Sequence, residues 1–279
     1  MLDSNGTLRV EQYLLPPAVY FDHWAMMHVS NDLALRSRFK KTLKARGGTL
    51  MLSWLNLAEF AKVIDRSQAE AAEALIEDVL PNIFFLEMNP FDVIKREDQL
   101  LAGGPLVAPH ADTEFLKAFT YMRSQSMHPF TARNLFTAAQ NIGDESGYDA
   151  LAKTVVESVE ALREKMGNDK SFDALVRRLP NGPEIQRGTR YILRELAGTL
   201  LMDRSVKMNQ NHGIDLVHSV VPAAYGDLVL LDGHWEAQIE KIRGRFSKAK
   251  LTVPLARVFS GRRNGIEKFL QELESSSGS

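Results

Sequence analysis

Short apolar runs alternate with segments of helical periodicity in this chain, and that alternation limits the fold more than any other feature. Residues 18–21 (AVYF), 49–53 (TLMLS) and 80–88 (LPNIFFLEM) each have the length and composition of a buried strand. A segment that suits a helix follows each of them, and in residues 54–74 the apolar positions recur at helical spacing. Strands that alternate with helices predict an α/β sandwich around a mostly parallel sheet.

The alternation stops in the middle of the chain. From about residue 109 to 208 no run has the character of a strand, whereas residues 149–165 and 187–202 have helical spacing. Gly, Pro and Asn residues punctuate this segment. The pattern predicts a helical insertion over residues 109–208.

Alternation resumes after the insertion, with strands predicted at residues 228–231 and 253–259 and helices around them. We therefore predict one α/β domain assembled from residues 18–100 and 209–273. The last residues, 274–279, end in SSSGS and are expected to be a flexible tail.

Composition limits the partners. With 34 basic and 35 acidic residues the net charge is −1, so any attraction to nucleic acid must come from a local patch. The chain has no cysteine, which excludes disulfides and thiolate metal sites. The first residues do not resemble a secretory signal, and no apolar run is long enough to cross a bilayer. We expect a soluble, cytoplasmic protein without a membrane partner.

Acidic residues stand where two predicted strands end. Asp22 directly follows the strand at 18–21, and Asp232 ends the strand at 228–231 in the same way. Sites in parallel sheets form outside the carboxyl ends of the strands, so these acids are expected to converge with the helix-borne Glu59 and Asp215. Each acid also has an ordinary structural explanation, because Asp caps helices and Glu is favoured in an early helical turn.

A group of unpaired carboxylates requires a counter-charge, since burying several of them together costs several kcal/mol or forces protonation. Mg²⁺ and Mn²⁺ prefer oxygen ligands and need only a few carboxylates. The chemistry such a site favours is phosphodiester hydrolysis by a metal-activated water. The sequence therefore predicts a Mg²⁺ or Mn²⁺ site.

Three segments together resemble the PIN-domain superfamily of metal-dependent nucleases: VYFD at 19–22, SWLNLAEF at 53–60 and GIDLVHSVVPAAYGDLVLLD at 213–232. In that family the acidic site consists of a first-strand Asp, a helix-borne Glu, an Asp that opens a later helix and an Asp at the end of the following strand. The resemblance implies these roles for the four acids Asp22, Glu59, Asp215 and Asp232. It covers residues 18 to about 100 and 209–273.

Two details qualify the resemblance. Asp227 lies close enough along the chain to compete with Asp232 for the fourth ligand position, and His218 and Tyr225 match a subgroup with the pattern Asp-x-x-His, Pro, then Tyr-x-Asp. The connection between Glu59 and Asp215 is much longer than in a minimal PIN domain. By resemblance, the products would carry a 5′-phosphate and a 3′-hydroxyl, and RNA is expected as substrate ahead of DNA.

Candidate substrate-binding residues are polar or basic side chains near the predicted site or in a basic run. They are Ser53, Asn56, His218, His234, Arg38 and Lys41. Ser53 and Asn56 equally fit a helix cap, and His218 fits a partly buried structural histidine. Trp235 beside His234 suits either base stacking or packing. The basic runs at 36–46 and 243–250 suit either a phosphate backbone or a solvated helix face.

Two other functions remain open on the sequence. The first is a catalytically inactive PIN-like scaffold whose helical insertion docks a partner. The second is a phosphatase with Asp22 as nucleophile, which is weakened because Trp24 stands where the haloacid dehalogenase phosphatases have a second Asp. A homo-oligomer or a regulatory protein partner, such as the antitoxins of part of the PIN family, is compatible with either PIN-like function.

Overall fold

A computed structural model of the chain describes residues 11–62, 66–104, 108–124, 131–145, 148–179, 188–203, 205 and 207–275. These residues form one five-stranded sheet, and all neighbouring strands in it are parallel. The strands are β1 (Ala18–Phe21), β2 (Thr49–Leu52), β3 (Ile83–Phe85), β4 (Leu228–Leu230) and β5 (Arg257–Phe259). The predicted α/β fold with a mostly parallel sheet is confirmed.

The strands are shorter than the apolar runs that predict them. Of residues 80–88 only Ile83–Phe85 pair in the sheet, and of residues 253–259 only Arg257–Phe259 do. The central strand β1 is buried along its whole length, with Val19 opposite Leu50 of β2 on one side. A strand covered on both faces needs apolar residues at successive positions, which explains the continuous apolar run in β1.

Helices cover both faces of the sheet and produce three layers, α, β and α. On one face lie α1 (His23–Asn31), α2 (Leu33–Arg46), α3 (Trp54–Lys62), α4 (Arg66–Val79), α6 (Thr113–Ser124), α7 (Ala132–Glu145) and α13 (Gly265–Ser275). On the other lie α5 (Pro90–Leu101), α8 (Tyr148–Asn168), α9 (Lys170–Arg177), α10 (Gly188–Met202), α11 (Gln210–Tyr225) and α12 (Gly233–Lys248).

The central segment at 109–208 is helical in its described part, as predicted, apart from a bridge between Ala111 and Leu86. Its helices are divided between the two layers. Phe115 and Phe136, from α6 and α7, complete the core on one face, and Ile192 of α10 is buried in the core on the other. The segment therefore supplies part of the apolar cover of the sheet.

The ends of the chain and the helix lengths add two details. The predicted tail begins inside α13, which continues to Ser275, and residues 276–279 lie outside the described part. Within the described residues, no helix combines the length and apolar composition needed to cross a bilayer.

The strand order β3-β2-β1-β4-β5 places a reversal beside β1. From β1 the chain moves outward in one direction through β2 and β3, and β4 and β5 then extend the sheet in the other direction. The helices that leave the carboxyl ends of β1 and β4 diverge at such a reversal, and a crevice opens between them. This crevice is the expected location of a site in an open parallel sheet.

Candidate active site

Two of the predicted acids lie at the reversal. Phe21 at the end of β1 pairs with Leu230 at the end of β4, and the Asp22 amide donates a hydrogen bond to the Leu230 carbonyl at 3.0 Å. Asp232 follows β4 by one intervening residue. The two carboxyl groups therefore belong to neighbouring strands and leave the sheet at the same edge.

Both acids also cap the helix that follows them. Asp22 Oδ1 accepts a hydrogen bond from the Ala25 amide at 3.1 Å, and Asp232 Oδ1 accepts from the amides of His234 and Trp235 at 2.7 and 3.1 Å. The capping interpretation is correct, and it does not exclude a role in the site. An N-cap hydrogen bond holds the carboxylate at a defined position where the strand becomes a helix.

Glu59 and Asp215 reach the same place from opposite helix layers, on α3 and α11. All four acids predicted as the site line a single cleft of about 230 Å³. The remaining lining residues are His23, Trp24, His218, Ser219, Leu231 and Trp235. The tertiary structure thus brings together residues that span most of the chain.

Burial and neighbouring carboxylates raise the pKa values of Asp22 and Asp215. Burial, followed by the charges of Asp232, Glu59 and Asp215, raises the pKa of Asp22 well above its usual value. Burial and the charge of Asp232 raise the pKa of Asp215 to about 6. Within the described residues neither Asp22, Asp215 nor Asp232 lies within 4.0 Å of a Lys or Arg nitrogen. No Lys or Arg of the described residues therefore compensates the negative charge of these three carboxylates.

Asp215 does not open its helix, contrary to prediction. Helix α11 begins five residues earlier at Gln210, with Asn209 as its cap, and Asp215 lies in the second turn. The Trp235 side chain donates a hydrogen bond to the Asp215 carboxylate. One turn further along, the Ser219 hydroxyl donates to the Asp215 carbonyl at 2.7 Å and Ser219 also borders the cleft.

A buried polar group lies below the acids. The Tyr20 hydroxyl is 3.1 Å from His218 Nδ1 and also contacts the side chains of Asn56 and Ser53. Ser53 Oγ donates to Asn56 Oδ1 at 2.7 Å and accepts from the Asn56 amide at 3.1 Å, so Ser53 caps α3. Burial raises the pKa of Tyr20 and lowers that of His218 to about 3, so both are neutral at pH 7.

This arrangement corrects two predicted substrate contacts. Ser53 and Asn56 are almost completely buried and are not among the lining residues of the cleft, so they support the site from below. His218 borders the cleft and contacts Tyr20 at the same time. His218 therefore lies at the predicted location and also has the role of a buried structural histidine, which was the alternative.

His23 and Trp24 border the cleft next to Asp22 but are absent from the predicted site. His23 Nδ1 approaches Glu59 Oε2 at 3.5 Å, and its ring packs on Phe60 with centroids 4.6 Å apart. Burial lowers the pKa of His23, so the ring is neutral at pH 7 and the approach to Glu59 is not an ion pair. The sequence could have indicated His23 and Trp24 as site residues, because both directly follow Asp22.

Asp227 is not a ligand candidate, which corrects the predicted metal set. It is exposed and precedes β4, whereas Asp232 follows it. Its Oδ2 accepts a hydrogen bond from the Ala18 amide at 2.7 Å, and Ala18 is the first residue of β1. Asp227 therefore lies at the amino edge of the sheet, opposite the cleft. His234 is also outside the cleft lining, where Trp235 takes the place expected for it.

Three cations of the basic run of α2 are engaged in ion pairs, and Arg38 is one of them, which corrects its predicted role in substrate binding. Arg38 binds Glu267 and Glu274 of α13 at 2.6 and 2.7 Å. Lys41 is exposed and lines a different cavity together with Arg38. Arg245 of the second basic run is paired with buried Glu195. Arg38 and Arg245 thus stabilise contacts between helices at a distance from the acids.

The donor set suits a hydrated divalent cation better than a fully protein-enclosed one. Within the described residues no three His, Asp or Glu side chains are close enough together to coordinate one ion. Mg²⁺ retains several waters and is commonly held by one or two carboxylates. Four carboxylates around a cleft of about 230 Å³, with raised pKa values at Asp22 and Asp215, fit that mode of binding.

Comparison with known proteins identifies no relative of this chain. Scans of protein-family models, curated proteins and solved structures each yielded no significant match.

Proposed function

We propose that this chain is a Mg²⁺- or Mn²⁺-dependent nuclease that hydrolyses phosphodiester bonds, with RNA as the expected substrate. One observation carries the proposal: Asp22, Glu59, Asp215 and Asp232 converge on one cleft at the reversal of strand order. Their order along the chain resembles that of the acidic residues in PIN-domain nucleases. The raised pKa values of Asp22 and Asp215 also support the proposal, because they indicate a buried group of carboxylates with little compensating positive charge.

A hydrated metal would be held directly by one or two of the carboxylates of Asp22, Asp215 and Asp232 and through water by the rest, with Glu59 reaching the cleft from the helix layer opposite that of Asp215. A bound divalent cation supplies an activated water and neutralises charge on the phosphodiester oxygens. The helix-capping hydrogen bonds of Asp22 and Asp232 fix the positions of these two carboxylates, so the carboxylates would hold the cation at a defined place. A preorganised arrangement of this kind requires little rearrangement during the reaction.

Other residues of the cleft would shape the site for a nucleotide. Trp24 provides aromatic surface beside the acids, and an aromatic side chain can stack on a base of any identity, whereas Trp235 is almost completely buried and packs beneath Asp215. Neutral Tyr20 and His218 form a rigid floor that adds no charge beneath the carboxylates.

The inactive scaffold remains the alternative, and one observation favours it: both Asp22 and Asp232 are accounted for as helix caps. Two observations disfavour it. Asp22, Asp215 and Asp232 have no Lys or Arg partner in the described part of the chain, as a purely structural cluster would need. In addition, apolar side chains of the central helices are buried in the two cores, which reduces the surface left for docking a partner.

The experiment that tests the proposal compares two aspartates on either side of one strand. Wild type, Asp232→Asn and Asp227→Asn are incubated with labelled single-stranded RNA in Mn²⁺, Mg²⁺ or chelator. Asn retains the oxygen that each position uses as an acceptor, so both variants are expected to fold. Cleavage should fall by about 100-fold or more in Asp232→Asn, since even changes beside a metal ligand cost 10–100-fold. Asp227→Asn should cleave like wild type.

Contaminating nuclease is controlled by the double variant Asp22→Asn, Asp215→Asn. Residual cleavage at the wild-type rate in that variant, or loss of cleavage in Asp227→Asn as complete as in Asp232→Asn, would contradict the proposed site. Wild-type protein that folds but shows no metal-dependent cleavage would favour the scaffold.

A further inference from the structure

The loop that follows β5 reaches the carboxyl edge of the sheet beside the acidic cleft. The Leu231 amide donates to the Phe259 carbonyl at 3.0 Å, so the end of β5 lies alongside the residue before Asp232. The Ser260 hydroxyl then donates to Glu236 of α12 at 2.6 Å. These contacts fasten residues 260–264, the β5–α13 loop, to the first turn of α12.

Arg262 of this loop lies directly over Gly233, the first residue of α12 and the neighbour of Asp232. A Cβ at Gly233 would be 2.6 Å from Arg262 Cδ and 2.7 Å from Cζ, so the guanidinium occupies the space that a side chain would fill. Arg262 Nη1 also approaches the Gly233 carbonyl at 3.4 Å. On its other side the loop approaches Trp24, with a Cβ at Gly261 only 3.6 Å from that ring. The loop thus lies next to the cleft without lining it, in contact with Trp24 and with the neighbour of Asp232.

The backbone holds Arg262 in this place. Its amide donates to Ser260 Oγ at 3.2 Å. The next two residues, Arg263 and Asn264, have φ values of 53° and 61° in the left-handed region that L residues seldom adopt. Such conformations persist where the surrounding structure enforces them, and they are common at functional sites.

Arg262 differs from the ion-paired arginines of the chain in having no acidic partner. Within the described residues no carboxylate oxygen lies within 4.0 Å of its guanidinium, and the side chain is exposed. By contrast, Arg38 and Arg245 are both engaged with glutamates. An exposed guanidinium presents a planar set of donors that matches phosphate oxygens.

We propose that Arg262 binds a backbone phosphate of single-stranded RNA next to the acidic cleft and positions the strand for cleavage. This inference rests on the proposed nuclease function. Four carboxylates repel a polyanionic substrate, and a cation at the rim offsets that repulsion where the strand enters. Among the described residues, Arg262 is a cation without an acidic partner that its contacts with Gly233 hold beside the cleft.

The test is equilibrium binding of fluorescent single-stranded RNA in chelator, measured by anisotropy across a salt series. The proteins are wild type, Arg262→Met, Gly233→Ala and the control Arg178→Met. Arg178 is also exposed but lies at the end of α9, in the helix layer opposite α13. Gly233→Ala keeps every charge and displaces the flexible guanidinium, which can move without disturbing the backbone.

Arg262→Met should raise the Kd about tenfold and lower the slope of log K against log salt by about 0.7, the value for one phosphate contact on a single strand. Gly233→Ala should raise the Kd by a smaller factor, and Arg178→Met should match wild type. In the cleavage assay Arg262→Met should raise KM with little change in kcat. Arg262→Lys should recover the salt slope but only part of the affinity.

The outcomes separate the two proposals. Binding by Arg262→Met with the wild-type Kd and salt slope overturns the assignment of Arg262, and so does wild type that binds no RNA. If wild type binds through Arg262 but never cleaves, the nuclease proposal fails and the phosphate site stands. If wild type cleaves and Arg262→Met has an unchanged KM, the nuclease stands and the phosphate site fails. Melting curves establish whether each variant is folded. If Arg262→Met is not folded, Gly233→Ala replaces it in the binding comparison.

Discussion

Asp215→Asn should stabilise the metal-free protein while it removes a group needed for activity. The pKa of Asp215 rises from 3.8 to about 6 in the folded state, chiefly through burial and then through the charge of Asp232. A difference of about 2 pKa units corresponds to about 3 kcal/mol of destabilisation when the carboxylate is ionised. The cleft is open to solvent on one side, so a gain of about 1–3 kcal/mol is expected from the neutral amide.

The sign of the pH dependence follows from which state holds the proton more tightly. The folded protein keeps the Asp215 proton up to about pH 6, whereas the unfolded chain loses it near pH 3.8. The penalty is therefore absent below pH 3.8, grows as the pH rises and is complete above about pH 6. Asp22, whose pKa is raised in the same direction, adds to the slope.

Thermal unfolding in chelator at pH 4 and pH 7.5 measures this effect. At pH 7.5 the Tm of Asp215→Asn should exceed that of wild type by about 2–4 °C for each kcal/mol, and at pH 4 the two should nearly coincide. Glu164→Gln, which neutralises an exposed carboxylate of α8, serves as the control and should leave the Tm unchanged at both pH values. Mn²⁺ should raise the Tm of wild type more than that of Asp215→Asn.

Two results would refute this reasoning. A variant that is less stable than wild type by the same amount at both pH values would mean that Asp215 stabilises the fold through its hydrogen bond from Trp235 rather than opposing it through charge. An Mn²⁺-induced rise in Tm of equal size in Asp215→Asn and wild type would show that the carboxylate does not take part in binding the ion.

Three further predictions concern the floor of the site, its wall and the fold. Tyr20→Phe should lower the free energy of unfolding by about 1–3 kcal/mol in urea, because the contact with His218 Nδ1 is buried; an unchanged midpoint would contradict this. Trp24→Ala should raise the KM for single-stranded RNA about tenfold with little change in kcat, and Trp24→Phe should restore part of it; equal KM values in all three proteins would exclude stacking. Arg163→Met should cost about 1–3 kcal/mol of stability without changing cleavage, because the buried guanidinium donates to the Leu200 carbonyl at 2.7 Å; a melting temperature equal to wild type would refute that.

Sequence periodicity was sufficient for the class of fold, and the strand ends that it identifies put Asp22 and Asp232 at the carboxyl edge of the sheet. The site roles of Glu59 and Asp215 came from the resemblance and stay a prediction. Short apolar runs followed by helical spacing identify buried parallel strands, because a strand covered on both faces must be apolar throughout. Once the sheet is parallel, acids that follow its strands share one edge, and this locates Asp22 and Asp232 together. Strand lengths were overestimated because residues beyond the paired positions, such as Leu86 and Met88 after β3, are equally apolar and buried.

Tertiary structure decided which charged residues are available. Arg38 belongs to a basic run that suits a phosphate backbone, yet its guanidinium is held by two glutamates more than 200 residues away along the chain. Arg262 has no such feature in the sequence, and it becomes a candidate because it lies over Gly233 and has no acidic partner in the described part of the chain. Pairing of this kind depends on the approach of distant elements, which local spacing does not record.

The approach of distant elements also explains the position of Asp227 and the contact between Tyr20 and His218 beneath the cleft. Asp227 and Asp232 are both close to one short strand, and only the direction of that strand in the sheet assigns one to the amino edge and the other to the site. Tyr20 reads as an ordinary core residue of β1, and its contact with His218 exists because α11 packs across the sheet. The sequence determined which chemical groups arrive at the carboxyl edge, and packing of the two helix layers decided which of them face one another there.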